Sequence, residues 1–289
     1  MDFYLTVLIE GLCLSSMALG IYISMKIFNI PDITTDGSYT LGGAVTAVML
    51  THHNSVWLTI VAVVLSGAAA GATTGLIHTK LKINALLSGI IVMTALYGVN
   101  LGLMGRSNIP MINIRSLFTL VNISTDTNYN SLWLAIAFML LIMLLVGYLL
   151  KTDFGISMRA TGNSELMIRA LGVNTDRMKI TGLAIANALT ALSGFLYGQY
   201  QGYADISMGI GIVIIGLGSV IIAETVINWL QITSVWLSLV LVLVGAVIFQ
   251  TVVAVTLDIG VDPTYLKVVV AVFLLLIVGL PQLILRNSN

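Results

Sequence analysis

Apolar residues run almost unbroken along this chain, interrupted by short polar stretches at intervals close to one bilayer thickness. The runs fall near 4–25, 32–50, 56–77, 83–104, 131–150, 179–200, 207–224, 231–254 and 265–284. A helix rising 1.5 Å per residue needs about 20 apolar residues to cross the hydrocarbon layer. The pattern therefore predicts an all-α polytopic membrane protein with about nine spans, in a range of eight to ten. It is expected to be a single transmembrane domain over 1–289, since so few residues lie outside the runs.

The second run is irregular. Only Tyr39 to Leu50 is continuously apolar, and twelve residues of helix reach about 18 Å. If the segment crosses, the preceding IPDITTDGS must enter the membrane too, and such backbone is tolerated at depth only inside protein or beside a wet cavity. Asp36, Gly37, Ser38, Gly42 and Gly43 then suggest a broken second helix at a pathway. The alternative is a loop over 31–36 capping a short tilted helix. A second glycine-rich segment, DISMGIGIVIIGLGSVIIAE, carries Gly209, Gly211, Gly216 and Gly218. There Asp205 and Ser207 echo Asp36 and Ser38, and paired interrupted segments mark the binding region of inverted-repeat transporters. Close helix packing through small residues explains the same glycines equally well.

One long stretch breaks the apolar pattern: KTDFGISMRATGNSELMIRALGVNTDRMK, residues 151–179, with five of the twelve Lys and Arg. Within it Ser164 or Asn163 can cap a short helix over Glu165 to Leu171. Glu165 lies in the first turn, where the helix dipole favours an acid, and Gly172 follows as a left-handed stop. Leu166, Met167, Ala170 and Leu171 share one side of that helix; Glu165 and Arg169, at i and i+4, share another.

Composition agrees with the pattern: 58% of residues are hydrophobic and 8% charged, against about 25% charged in soluble domains. A net charge of zero offers no basic surface for nucleic acid. The first residues lack a basic n-region, so a first span is expected in place of a cleaved signal peptide. Positive residues in short loops stay cytoplasmic. Placing 151–179 inside puts Lys26, Lys80, Lys82 and Arg286 inside as well, nine of twelve, with Arg106, Arg115 and Lys267 outside. The amino terminus is then outside, the carboxyl terminus cytoplasmic, and the polar loop 105–130 external.

Candidate chemistry is sparse. No nucleophile with a base, HExxH, phosphate-binding loop or dinucleotide fingerprint occurs, and His52, His53 and His78 lack partners at metal-ligand spacing, so neither an enzyme nor a metal site is expected. Glu10, within the first span, should face the interior or a wet cavity.

The segment RATGNSELMIRALGVNTDRMK, followed by ALSGFLYGQ, is similar to the cytoplasmic loop and following helix of permease subunits in bacterial ATP-binding-cassette importers of the branched-chain amino acid and ribose type. DGSYTLGGA (36–44) resembles that family's Asp-x-Ser-x-Gly-Gly region and IIGLGSVIIAE (214–224) its Gly-Gly-x-Gly-Ser segment. The resemblance implies a cytoplasmic coupling helix at Ser164 to Leu171, with Gly172 ending it and Asn174 starting the next helix. Leu166, Met167 and Leu171 would fill a groove on a separate ATPase subunit, with Glu165 and Arg169 at the rim. Asp36, Gly37, Ser38, Gly42, Gly43, Gly216 and Gly218 would belong to the translocation pathway, with Tyr39, Asn84, Asn100, Asn187 and Gln199 as neutral hydrogen-bonding groups. The resemblance further implies a bacterial inner-membrane protein working as a homodimer, or with a sister permease, alongside an extracytoplasmic binding protein. It would carry no cofactor of its own, ATP being bound by the partner. The implied substrate is an amino acid, aromatic ones being the narrower expectation, with sugars or nucleosides as the alternative and a self-sufficient secondary transporter as the rival class.

Overall fold

The computed structural model describes residues 2–112, 114–121, 126–262 and 265–287. Residues 113 and 122–125 of the expected external loop lie outside the described residues. The chain forms α1 (Asp2–Ile21), continued by a π-helical turn Tyr22–Ile27, then α2 (Thr34–Thr51), α3 (Val56–Lys80), α4 (Ala85–Met104), β1 (Asn108–Pro110), α5 (Leu117–Leu120) and α6 (Thr127–Lys151). There follow α7 (Asp153–Asn163), α8 (Glu165–Ala170), α9 (Thr175–Gln201), β2 (Tyr203–Asp205), α10 (Ile212–Trp229), α11 (Val235–Asp258) and α12 (Leu266–Asn287).

Seven of these helices are long and apolar enough to cross a membrane: α1 with its π turn, α3, α4, α6, α9, α10 and α11. The expected second and ninth runs are also helical, as α2 and α12, but lie outside that set. For α2 the reason is its surroundings. It is packed among α3, α4 and α9 and most of its residues are buried, so it meets protein where an outer helix meets lipid, and its threonines, serine and aspartate have partners there. The irregular backbone lies earlier than expected: residues 29–33 are non-helical, and α2 runs unbroken from Thr34, with Asp36, Gly37 and Ser38 inside the helix.

α1 and α9 are the most deeply buried spans and run antiparallel. Ser16 Oγ donates to the Leu189 carbonyl and Ser193 Oγ to the Cys13 carbonyl, each at 2.7 Å. Each has, among its neighbours, a pair arranged alike. Beside α9, α2 runs parallel, Ser38 opposite Asn187 and Gly42 against Ala191; α3 runs antiparallel, seating Gly67, Gly71 and Gly75 against Asn187, Leu183 and Ile180. Beside α1, α10 runs parallel, Gly216 against Met17 and Ile21, with Lys26 paired to Glu224 at 3.3 Å. There α11 runs antiparallel, Val247 against Gly11 and Gln250 bonded to Glu10. The α9–α2–α3 group is thus repeated as α1–α10–α11 with its direction reversed, an inverted repeat whose halves exchange their central helix. Glycine is needed at the closest crossings, because a Cβ on Gly71 or Gly42 would run into the carbonyl of Leu183 or Ala191. This is small-residue packing of the kind that lets helices associate in lipid.

A two-stranded antiparallel pairing of β1 with β2, Ile109 opposite Ala204, ties the exit of α4 to the exit of α9.

Candidate functional site

The short helix expected from the polar stretch is α8, with Leu171 as its C-cap. Ser164 Oγ accepts the Met167 amide, and Gly172 follows at φ +84°, the left-handed stop that a side chain would strain. Asn174 Oδ1 accepts the Arg177 amide at 3.0 Å and so starts α9. Ile168 turns inward and is buried, while Leu166 and Leu171 are 83% and 70% exposed and Met167 is exposed with them. Ala170 lies on the exposed side as well.

Glu165 and Arg169 are engaged within the chain. Lys179 Nζ lies 2.6 Å from Glu165 Oε2, and Arg169 reaches Glu165 Oε1 at 3.0 Å and Asp176 at 3.5 Å. Thr175 Oγ1 donates to Glu165 at 3.1 Å, and Asp176 is paired with Lys80 of α3 at 3.2 Å. The Lys179 ammonium, bonded to Glu165, holds that carboxyl below the usual carboxylate range, with Thr175 and Arg169 adding to the effect. This network clamps α8 onto the start of α9 and the end of α3, leaving its exposed apolar side chains outside the bundle.

The second site is where α2 meets α10. Asp36 reaches across to the beginning of α10, accepting the Gly211 amide at 2.9 Å and the Val213 amide at 2.8 Å. Gly211 has no side chain to cap the helix and adopts φ +83°, so a carboxylate 175 residues earlier satisfies amides that are otherwise orphaned at a helix start. Gly209 sits against the Asp36 carbonyl and the Thr40 hydroxyl, with no room for a Cβ. The two echoed segments, 36–44 and 205–224, thus meet in space. Between them and α4 lies a cavity of about 370 Å³, lined by Asp36, Gly37, Thr94, Tyr97 and Asn100 among others.

The other predicted positions lie apart from this cavity. Ser38 donates to Asn187 Oδ1 at 2.7 Å in the interior; Gly42 is packed on Ala191, Gly43 on Met208, Gly216 on Ile21 and Gly218 on Phe249. Asp205 is held by its own neighbours: Ser207 donates to it from both hydroxyl and amide, and Asn108 from its side chain. These bonds keep its carboxyl below the ordinary range. Glu10 accepts Gln250 Nε2 at 2.7 Å.

Two features escaped the sequence reading. Asp32, buried, accepts Asn187 Nδ2 and the Thr34 amide, while Thr34 bonds Thr74 of α3; with Ser38 they form a polar network joining α2, α3 and α9. Nothing local marks Asp32 for a residue 155 positions away. The Gly67, Gly71, Gly75 stripe, by contrast, was readable as a four-residue spacing. Among the described residues no group of His, Cys, Asp or Glu could hold a metal.

Residues 3–279 match the family model described as "Branched-chain amino acid transport system / permease component". The chain is 37% identical to a tyrosine transport system permease protein of Clostridioides difficile, over 99% of this chain and 94% of that one. It is 31% identical to an uncharacterised protein of Rickettsia prowazekii, covering 95% and 96% respectively. A ribose import permease protein of Haemophilus influenzae is 24% identical over 67% of this chain and 60% of that one. No solved structure matches.

Proposed function

The chain belongs to the branched-chain amino acid transport system permease family, and from that premise we propose that two copies form the membrane pore of an importer driven by a separate ATPase and loaded by an extracytoplasmic binding protein. The chain is a multi-pass inner-membrane permease component of the ATP-binding-cassette class, a transport subunit and not an enzyme. ATP is then bound by the partner, and this chain needs no cofactor. Its finer topology has nine crossings, with α2 and α12 added to the seven apolar spans, the amino terminus outside and α8 in the cytoplasm.

The observation that carries the reading is α8: a helix outside the apolar spans, clamped by Glu165 to α9, with Leu166, Met167 and Leu171 exposed. Apolar side chains grouped outside the bilayer mark a partner surface, and a clamped helix transmits a push to the spans attached to it. The substrate is read as an amino acid of the aromatic class, supported by the relative named for tyrosine that matches along nearly the whole chain. The ribose import relative supports the second reading, a sugar.

The test is uptake of labelled tyrosine, phenylalanine and ribose by proteoliposomes holding the permease with an ATPase and a binding protein of the same importer class from the same organism. Tyrosine accumulation that needs both ATP and binding protein is expected. Accumulation of ribose alone would select the sugar reading, and uptake without the ATPase would identify a self-sufficient carrier.

A further inference from the structure

α8 is fastened near the end of α3, where Lys80 pairs with Asp176. At the opposite end of α3, the turn joining it to α2 and the segment leading into α5 enclose a cavity of about 530 Å³. Its polar lining, His53, Asn54, Ser55 and Arg115, contains no carboxylate. Arg115 is exposed and makes no salt bridge among the described residues. The turn is firmly shaped: His53 holds φ +59°, a conformation that favours glycine, while its amide donates to the Leu50 carbonyl and that of Asn54 to the Met49 carbonyl, both at 3.0 Å.

The same cavity borders the lipid-facing surface. Trp57, in the first turn of α3, lines it and is 67% exposed. Val61 and Leu65 follow at four-residue spacing, 54% and 64% exposed, so the three side chains form one outward stripe along a helix that can cross the membrane. Such a stripe meets acyl chains, and tryptophan at the end of a span sits at headgroup level. The cation therefore stands where hydrocarbon meets water, with an apolar track leading from its cavity into the bilayer. The segment carrying Arg115 is tied in turn to the end of α9, the Met111 amide donating to the Gly202 carbonyl and the Leu117 amide to Gln199 Oε1, each at 2.7 Å.

We propose that this cavity holds the headgroup of an anionic glycerophospholipid from the adjoining leaflet, with Arg115 on the phosphate and an acyl chain along Trp57, Val61 and Leu65. Charge selects the lipid class: the ammonium of a zwitterionic headgroup needs a carboxylate that the lining lacks, whereas a phosphate with a neutral headgroup leaves Arg115 neutralised. The stripe selects lipid over a free anion, because only an acyl chain gains by covering apolar surface. Once bound, the lipid bridges the α2–α3 turn to the segment tied to α9 and stabilises this end of the bundle by mass action. The proposal requires only that α3 spans the membrane, and it stands or falls apart from the importer reading.

The experiment titrates the full-length permease, purified in detergent and stripped of lipid, with phosphatidylglycerol, phosphatidylcholine or glycerol 3-phosphate. Bound lipid is read by native mass spectrometry and stability by the thermal midpoint. The wild type should bind phosphatidylglycerol and gain stability from it, bind phosphatidylcholine about tenfold more weakly, and ignore glycerol 3-phosphate. Arg115→Gln should weaken phosphatidylglycerol binding by about tenfold or more, through loss of a charge-assisted bond, and Trp57→Ala should weaken both lipids. Arg106→Gln, exposed at the same end but outside the cavity, should bind as the wild type does. Equal affinity for the two lipids, equal losses in Arg115→Gln and Arg106→Gln, or stabilisation by glycerol 3-phosphate as large as by lipid would overturn the proposal. So would an Arg115→Gln permease that binds lipid normally and instead loses its hold on an extracytoplasmic binding protein, since the cavity would then be a protein contact.

Discussion

Asp36 does its work at a helix other than its own. Because Gly211 cannot cap α10, the Asp36 carboxylate is the acceptor for its first amides, and loss of a cap costs about 0.5–2 kcal/mol. Asp36→Ala should therefore lower the thermal midpoint of the purified permease in detergent, and Asp36→Asn, which keeps one acceptor oxygen, should lower it less; equal midpoints for all three would mean the bonds add nothing. Glu165 makes a prediction about acid. Its folded pKa lies below the ordinary value because of Lys179, so its contribution is fully present above the unfolded carboxylate pKa, about 4.3. That contribution is lost as pH falls through the lower, folded value. The protection of the α8 amides, measured as exchange relative to the intrinsic rate at each pH, should be constant from neutral pH down to about pH 5 and fall only below the carboxylate range, whereas Glu165→Gln should show reduced protection already at neutral pH. Asp36 was visible in the sequence as an anomaly in an apolar run, but the amides it serves were not, since hydrogen-bond partners far apart in the chain leave no periodic trace.

The proposed function rests on α8, which lies outside the seven apolar spans. The two most exposed apolar side chains of α8 and its C-cap are leucines, Leu166 and Leu171, and a charge placed there would be buried without a partner if an ATPase groove receives it. That costs several kcal/mol. Leu166→Asp or Leu171→Asp should leave the membrane fold intact and weaken co-purification of the ATPase by a hundredfold or more at about 1.4 kcal/mol per tenfold; undiminished co-purification and coupling by both variants would reduce α8 to a surface turn. In α3 the expectation is opposite in kind. Gly71→Val would force its side chain into the Leu183 carbonyl of α9, and overpacking of about 1–3 kcal/mol should appear as loss of folded protein, with no selective effect on ATPase binding. Periodicity and capping residues made α8 legible almost residue by residue, because a capped, glycine-ended helix is specified locally. For α2, hydropathy was a poor guide, because a helix enclosed by α3, α4 and α9 need not be apolar to lie in a membrane.

Across the whole molecule the inverted repeat and the charge distribution bear on the same issue, the direction of each span. If α8 is cytoplasmic, a cysteine at Ser164 should be labelled by an impermeant reagent only in inverted membranes, and one at Thr127, at the exposed start of α6, only in intact cells. Labelling of Ser164→Cys on intact cells would reverse the topology and remove the basis for ATPase docking.

The sequence by itself determined that the chain is a helical membrane protein, where most spans lie, which stretch stands outside the bilayer and how its short helix begins and ends. Each of these follows from solvent preference or from bonds made within a few residues. Tertiary structure decided the rest: that α1 and α9 are the shared centre of an inverted repeat, that Asp36 closes the start of α10, and that Asp32 is satisfied by Asn187. In a bilayer nearly every helix is apolar on all sides, so hydropathy says that a helix crosses but not which face meets which neighbour. That choice is made by the few polar groups that must find partners away from water and by the glycines that let backbones touch.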